Sequence, residues 1–366
     1  MRRKFLLGCF FIMGLFVCES SINAQGISGF TQTGSHDVKE VVKAYTSPML
    51  RAIGNNFNAG WYTTAEPLKP FRFDIRMIPS ISTIPQYDRF FYMSNLNLNH
   101  LGLAEGDKLP TMFGQSGTHK LTLDYDEGNT QINASGLVDL PTTGFNIWPG
   151  ISPQINIGLM KGTELMIRYL PPVKISFSEQ ILNSTLESNY FGMGVKHDVG
   201  QWIPGFKMLP ISVSIGSAFF TAKADLLGPF LTMEDVNGMI EEGINTDYEV
   251  DADSQRASLA TNGYRFDILV SKKIAILSFY AGLGYSTSKT SFDLFGEYPF
   301  VKPVENNKWD PDSIIDPINM EVKTSQLEIS GGMRFKLAIF SLGIGGAYSP
   351  NGYSTATLSL GVGYFN

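Results

Sequence analysis

The chain has 366 residues with 28 basic and 34 acidic side chains, which gives a net charge of −6 at pH 7. An acidic balance makes nucleic acid a poor candidate partner, and we exclude that class. Only 17% of the residues are charged, whereas 37 are glycine, 26 phenylalanine and 15 tyrosine, a composition unusual for a soluble protein rich in loops.

Residues 1–24 have the pattern of a cleavable secretory signal peptide. Arg2, Arg3 and Lys4 precede an apolar stretch at 5–17, and small or polar residues follow as far as Ala24. The apolar stretch is shorter than the roughly 20 residues that a membrane-spanning helix needs. We expect cleavage after Ala24, which leaves 25 basic and 33 acidic side chains and a net charge of −8.

Both cysteines, Cys9 and Cys18, lie within this leader, so the exported chain is expected to contain none. That excludes a disulfide framework, thiolate metal ligands and a cysteine nucleophile. A retained anchor is a less favoured interpretation of the segment. A lipid anchor on Cys18 is weaker still, because Val17 is bulkier than the residue that usually precedes a lipid-modified cysteine.

Residues 25–66 form a separate N-terminal segment. A stripe of apolar residues with helical spacing runs through 37–53, formed by Val38, Val41, Val42 and Tyr45. Pro48 is expected to interrupt this helix, and residues 54–60 are expected to be irregular. The helix is predicted either to plug the barrel described next or to cap it on the periplasmic side.

Residues 67–366 are predicted to be all-β. After Ala24 no apolar run approaches the length of a spanning helix, so a membrane-spanning chain with this sequence has to be a closed β-barrel. Apolar residues recur at alternate positions, which places them on one face of each strand. The last strand shows the pattern with Ala356, Leu358, Leu360, Val362 and Tyr364, separated by Thr357, Ser359, Gly361 and Gly363.

We predict a transmembrane antiparallel β-barrel of about 14 strands, with 12 as the alternative. The predicted strands lie near 69–79, 86–98, 118–126, 130–138, 151–159, 162–170, 172–179, 189–199, 209–222, 256–271, 274–289, 322–337, 339–349 and 354–365. Short turns at 171–172, 271–273 and 337–338 then fall on one side of the membrane. The long loops 223–255 and 290–321 fall on the other. Short periplasmic turns and long outer loops are typical of outer-membrane barrels.

Charged residues on the face opposite the apolar one are the candidate lumen-lining set. They are Arg72, Asp74, Arg76, Glu164, Arg168, Lys174, Lys196, Arg265, Asp267, Glu328, Arg334 and Lys336. Their mixed signs allow them to brace the barrel interior in pairs or to line a path through it. We favour bracing for any single residue, and an open, water-filled pore is the less favoured arrangement.

Three stretches resemble an uncharacterised family of exported outer-membrane barrel proteins from Bacteroidota. They are NAGWYTTAEP at 58–67, GTELMIRYLP at 162–171 and GVKHDVGQWIPGFKMLP at 194–210. The resemblance extends over most of the exported chain and implies its fold and location, with no assigned activity. A barrel of fourteen strands after an N-terminal plug is also similar, in architecture alone, to the long-chain fatty-acid transporter barrels.

Signals for catalysis are few, and we predict no enzyme activity, no cofactor and no metal site. His197-Asp198 is the one pair in which a base could be oriented, but no serine partner can be assigned, so a structural turn is favoured. The acidic residues near 234–253 are interpreted as a solvated loop rather than as a calcium site.

The expected function is passage or binding of a small, hydrophobic molecule at the bacterial outer membrane. The first alternative is a structural or assembly barrel that supports a surface complex, and an outer-membrane hydrolase is the third. The expected partners are outer-membrane lipid, the barrel-assembly machinery and the small hydrophobic ligand. Tyr364 rather than the final residue continues the apolar face, which weakens the C-terminal assembly signal.

Overall fold

A computed structural model describes the chain with short gaps. It covers residues 34–99, 101–103, 106–115, 117–127, 130–140, 142–177, 184–204, 210–232, 249–304 and 308–364. The predicted signal peptide, the centre of the acidic loop and the last two residues lie outside this part of the chain. All statements about the structure concern the described residues.

One helix precedes seventeen strands, all of them antiparallel to their partners. The elements are α1 (Gly34–Asn58), β1 (Phe73–Thr83), β2 (Phe90–Tyr92), β3 (Leu101–Leu103), β4 (Lys108–Pro110), β5 (Thr118–Glu127), β6 (Thr130–Asp139), β7 (Ile147–Leu159), β8 (Thr163–Ser176), β9 (Thr185–Asp198), β10 (Ile211–Leu227), β11 (Arg256–Ile274), β12 (Leu277–Phe295), β13 (Glu297–Val304), β14 (Lys308–Ile315), β15 (Ile318–Leu337), β16 (Phe340–Tyr348) and β17 (Thr355–Tyr364).

Ten of the strands close into a barrel, in the order β1-β17-β16-β15-β12-β11-β10-β9-β8-β7. The all-β barrel was predicted, but the strand numbers of 14 and 12 are wrong. Predicted strands at 118–126 and 130–138 belong to a separate small sheet, and 86–98 holds only a short strand between single helical turns.

These three predicted strands are not part of the barrel wall. A fourth predicted strand is lost at the Pro171-Pro172 corner, which was predicted to be a turn. The corner lies inside β8, where the pairing with β9 shifts register between Leu170 and Val173. Proline cannot donate to a strand ladder, but a bulge accommodates it without reversing the chain. One continuous strand therefore replaces the two that were predicted.

The alternating pattern gave the correct faces of the barrel wall except beyond the register shift in β8, where Lys174 is exposed. In β1, Asp74 and Arg76 are buried while Phe73 and Ile75 are exposed. The same arrangement continues around the barrel, so that large apolar side chains form an outward belt. Prominent members of the belt are Tyr169, Ile215, Phe266, Ile268, Leu283, Leu327, Ile344 and Leu360.

Consecutive barrel strands alternate in direction, so their connections alternate between two ends. The long-loop end holds the connections 84–146, 177–184, 228–255, 296–317 and 349–354. The short-turn end holds 160–162, 199–210, 275–276 and 338–339, and β1 begins there. The two long loops predicted to share a side do so.

The helix α1 is continuous from Gly34 to Asn58 and passes through Pro48, so the predicted interruption is wrong. Thr46 and Ser47 donate their hydroxyls to carbonyls one turn earlier, at 2.7 and 2.5 Å. The surrounding barrel buries Ser47, Met49 and Leu50, and this packing outweighs the local cost of proline. Among the described residues, no helix is both long and apolar enough to cross a membrane.

Candidate functional site in the barrel lumen

The C-terminal half of α1 enters the barrel from the long-loop end. Its buried side chains, among them Leu50 and Ile53, join one apolar cluster with the barrel wall. The Phe57 ring lies 4.8 Å from that of Tyr190 and 5.5 Å from that of Phe220, between ring centroids. We call the half of the lumen nearer the long-loop end the upper half and the half nearer the short-turn end the lower half. The upper half is therefore filled by apolar packing.

Outside the barrel, the first turns of α1 pack against the long connection after β1. Val41 is buried with Phe91, Met93 and Leu109 in a second apolar cluster. The Asp37 carboxylate accepts backbone N–H groups of residues 99 and 101 at 2.9 and 3.0 Å. The start of α1 is thus fixed at the long-loop end.

After α1, residues 59–70 cross the lower half of the lumen as an irregular segment of turns and bends that leads to β1. We call residues 59–70 the threaded segment. Because α1 starts at the long-loop end and β1 starts at the short-turn end, the chain passes through the whole barrel. Residues 61–65 are all buried. The lumen is occupied along its length by the protein's own N-terminal part.

Two arginines of the wall bind the carbonyl end of α1. Arg168 donates from Nη1 to the Phe57 carbonyl at 3.0 Å and from Nη2 to the Ala59 carbonyl at 2.8 Å. Arg265 donates from Nη1 to the Asn58 carbonyl. Carbonyls at a helix C-terminus lack intrahelical partners and form the negative end of the helix dipole. The buried cations therefore cap α1 from the wall.

Trp61 anchors the top of the threaded segment. Its ring lies under the Arg168 guanidinium, 4.0 Å from the guanidinium carbon to the ring centroid. A Cβ added at Gly194 would lie 3.1 Å from this ring, so the small residue provides the space that the indole occupies. Gln154 donates from Nε2 to the Trp61 carbonyl at 3.1 Å.

Charged wall residues bind the main chain of the lower part of the threaded segment as well. Lys196 donates from Nζ to the carbonyls of Thr64 and Glu66, at 3.0 and 3.3 Å. Glu164 accepts the backbone N–H of Leu68 at 2.8 Å. Lys196 and Glu164 form a buried ion pair with each other at 3.1 Å, so their charges are balanced.

Further ion pairs lie in the wall, among them that of Arg265 with Glu328 at 3.4 Å. The Asp74 carboxylate lies 2.5 Å from Nε of Arg76, and Arg76 donates from Nη1 to the Thr63 hydroxyl at 2.9 Å. Arg265 pairs with Asp267 at 2.6 Å. Buried charges are tolerated when they are paired and hydrogen-bonded, and both conditions are met in these pairs.

A polar cluster joins α1 to the rim of the barrel. Arg51 donates from Nη1 to the Asp88 carboxylate at 2.6 Å, and the Tyr353 hydroxyl donates to the same carboxylate at 2.5 Å. Burial and the negative charge of Asp88 raise the pKa of Tyr353, so its hydroxyl keeps its proton. Asn55 donates to the Tyr353 carbonyl at 3.1 Å.

One small cavity lies between the threaded segment and the wall. Its volume is about 20 Å³, it lies beside Gly60, Tyr62, Arg265 and Tyr280, and it has room for about one water molecule. The Tyr62 hydroxyl is buried and has no hydrogen-bond partner among the described residues.

The twelve candidate lumen-lining residues divide by burial. Nine are buried in the wall, namely Asp74, Arg76, Glu164, Arg168, Lys196, Arg265, Asp267, Glu328 and Arg334. Arg72 and Lys336 are half-buried near the short-turn end, and Lys174 is exposed in an ion pair with Glu187 at 2.8 Å. Six of these nine contact the threaded segment, namely Arg76, Glu164, Arg168, Lys196, Arg265 and Arg334. The other three, Asp74, Asp267 and Glu328, form ion pairs with Arg76 or Arg265.

Neutral polar residues of the wall were not predicted to take part. Ser214 donates to the Ala65 carbonyl at 2.6 Å, and Asn156 donates to Glu164 at 2.5 Å. Gln326 donates to the Asn55 side chain at 2.9 Å. Their inward position in the alternating pattern is the sequence signal that marks them.

The His197-Asp198 pair lies in a turn network at the short-turn end. His197 shares a hydrogen bond with the Thr163 hydroxyl at 2.9 Å and accepts Trp202 Nε1–H at 3.1 Å. Asp198 accepts the backbone N–H of Gly200 at 2.9 Å. Within the described residues, no group of three or more His, Cys, Asp or Glu is placed to hold a metal ion.

A model of the "Family of unknown function (DUF6588)" matches residues 1–364. The chain belongs to the DUF6588 family. The match extends over the helix, the threaded segment and every barrel strand, so this architecture describes the DUF6588 chain as a whole. No curated protein matches the chain in sequence.

Solved structures are similar to this DUF6588 chain at low identity. The outer membrane transporter YddB from Escherichia coli has 9% identity and a TM-score of 0.31, and the match covers 78% of this chain and 41% of that one. The translocator domain of the autotransporter NalP from Neisseria meningitidis has 11% identity and a TM-score of 0.30, with 89% and 98% covered. A Pseudomonas aeruginosa FadL homologue has 8% identity and a TM-score of 0.24, with 94% and 98% covered. Similarities this weak carry no information about activity.

Proposed function

We propose that the chain is a plugged barrel of the bacterial outer membrane that binds or passes small hydrophobic molecules. A cleaved signal peptide would deliver it there, in keeping with the resemblance to exported barrels of Bacteroidota. The long-loop end faces outward and the short-turn end faces the periplasm.

The membrane location is supported by the outward belt. Ile268, Leu283 and Leu327 are exposed over 60%, 62% and 72% of their surface, on a wall whose inner face is charged. Soluble monomers rarely expose apolar patches of this extent. A closed barrel pairs its strands all round, which is what backbone groups in lipid require.

The proposed substrate class is based on what fills the lumen. Its lower half is filled by the threaded segment and its hydrogen bonds, so polar solutes find no open path. Its upper half is filled by the apolar cluster around Phe57, Tyr190 and Phe220, so a molecule that enters it exchanges contacts with apolar side chains only. A plugged barrel of this kind discriminates against water-soluble cargo.

The test compares two probes in bacteria with and without the expressed chain. We expect faster accumulation of the apolar dye N-phenylnaphthylamine and unchanged entry of the hydrophilic substrate nitrocefin. Faster entry of both probes would indicate an open pore, and unchanged entry of both would contradict passage.

A second candidate, a structural barrel that supports a surface complex, is favoured by one observation. Residues 84–146 form two small sheets and a buried cluster with α1 at the long-loop end, more structure than a simple loop provides. Under this candidate the dye test gives no difference. Removal of residues 117–140 would then abolish surface assembly, measured by co-purification.

A further inference from the structure

The wall of the barrel is incomplete between β7 and β8. These strands pair only from Ile155 with Ile167 to Leu159 with Thr163. By contrast, β11 and β12 pair without interruption along their whole lengths. We call the unpaired stretch, residues 147–154 of β7 and 168–176 of β8, the side gap. It extends from the long-loop end down to the five paired residues.

The sequence explains why pairing stops. The N–H of Gly158 donates to the carbonyl of Arg72, which directly precedes β1. The backbone N–H and C=O groups of even-numbered residues of β7 therefore point to β1, and those of odd-numbered residues point to β8. Pro149 and Pro153 are odd-numbered and donate nothing toward β8. Continuing the register would place Pro171 opposite Ile151. Prolines on both facing edges thus remove the donors that would close this seam.

The side gap connects two apolar regions. On the outside, Ile147, Ile155 and Tyr169 are exposed and belong to the outward belt. On the inside, Leu170 packs against the apolar cluster of the upper lumen, and its partner on β9 is the buried Tyr190. A molecule crossing here would leave one apolar surface for another.

Unpaired edges are costly in a barrel wall that faces lipid, because exposed backbone groups there have no water to bond. The prolines lower that cost by removing donors, so the side gap is tolerated rather than closed. Such an opening differs from the axial route, which the threaded segment fills.

We propose that small apolar molecules move between the upper lumen and the outer half of the bilayer through the side gap. The proposal rests on the proposed function and adds its route. At the lower end of the side gap Arg168 donates from Nε to Gln154 Oε1 at 2.8 Å, which joins the two strands there. Above this bond both ends of the route are apolar, which disfavours polar solutes.

The test closes the side gap by a reversible cross-link. Both natural cysteines precede residue 34, so the variant Ile151→Cys/Val173→Cys carries the only thiols after the leader. A bifunctional maleimide with a reducible linker joins the two edges. The control, Ile268→Cys/Leu283→Cys, joins directly paired residues of β11 and β12 on the intact wall.

We expect cross-linking of the gap variant to reduce N-phenylnaphthylamine entry to the level of cells without the chain, and reduction of the linker to restore it. The control variant should keep its entry rate throughout. Undiminished entry through a cross-linked gap would overturn the route while leaving the proposed function standing. Absence of any chain-dependent entry would overturn both.

A second measurement does not depend on transport. A photoreactive benzoylphenylalanine replaces Tyr190, behind the side gap, or Leu269, which is equally buried behind the paired wall of β11. In vesicles of outer-membrane phospholipid, we expect irradiation to attach lipid at position 190 and not at 269. Lipid adducts at neither position, or at both, would contradict the route.

Discussion

The two halves of the N-terminal segment occupy the same lumen by different kinds of contact. In the upper half, α1 is held by side chains packed against side chains, with Leu50 and Ile53 at the centre. In the lower half, the threaded segment is held by wall side chains that bond its main-chain carbonyls, as Arg168 and Lys196 do. The first arrangement depends on shape and the second on charge.

This difference indicates that the lower half, where charged side chains hold the threaded segment, seals the barrel. When apolar packing loses a methyl group, the loss is partly compensated because neighbouring side chains relax into part of the space. A buried cation that bonds two carbonyls has no such tolerance, because its removal leaves the carbonyls without partners. We therefore expect substitutions in the two halves to differ in their effects on the free energy of unfolding and on ion conductance.

The largest effect is expected for Arg168→Met, which removes the cap on the Phe57 and Ala59 carbonyls. Breaking a buried charged network of this kind costs about 4 kcal/mol. Urea unfolding in detergent micelles, followed by tryptophan fluorescence, measures the loss. Lys174→Met is the control, since its exposed ion pair contributes at most about 1 kcal/mol. Equal losses in both variants would refute the capping role.

Leu50→Ala should follow, with a loss of about 3 kcal/mol for a fully buried leucine. Because Leu50 belongs to the upper half, the lower seal should remain. We expect the variant to stay closed to ions in planar bilayers, whereas Arg168→Met should show transient openings. Openings of the same frequency in both variants would remove the distinction between the halves.

Gly158→Ala should cost about 2 kcal/mol through crowding. The added Cβ would lie 2.0 Å from the Lys69 carbonyl oxygen, a main-chain atom that cannot rotate away. Gly331→Ala is the matched control, since its Cβ would lie 3.4 Å from the nearest atom. Resistance of the folded barrel to heating in detergent compares the two, and equal resistance would contradict the close approach of the threaded segment.

Tyr62→Phe should have the smallest effect, within about 0.5 kcal/mol of the parent protein. The hydroxyl has no hydrogen-bond partner among the described residues, so its removal leaves no protein group unpaired. The same urea titration applies. A loss comparable to that of Leu50→Ala would show that the hydroxyl is held by a bond that the structure does not contain.

The sequence was informative where residue type determines the outcome. Alternation placed Asp74 and Arg76 on the inner face of β1 because lipid and lumen demand opposite side chains. Alternation did not reveal that the partners of Arg168 and Lys196 are main-chain carbonyls. Every residue has a carbonyl, so residue type does not identify which carbonyls accept these bonds. The threaded segment was therefore missed as a binding partner.

The strand number was wrong for a related reason. Alternation at 118–138 is genuine, but a small sheet alternates as a barrel wall does, and the sequence does not say which strands close the ring. Pro171-Pro172 and Pro48 were each interpreted as breaks. In both places the surrounding wall or lumen determines the path of the chain, and local proline rules are outweighed.

Ion conductance in planar bilayers tests the central claim most directly, namely that the N-terminal segment seals the lumen. The full chain should insert without steady conductance, and a variant lacking residues 37–66 should insert as a conducting barrel. A deletion ending at residue 57 would leave residues 59–70 in the lower lumen and is not sufficient. Steady conductance by the full chain, or an inserted deletion variant that stays closed, would contradict the account.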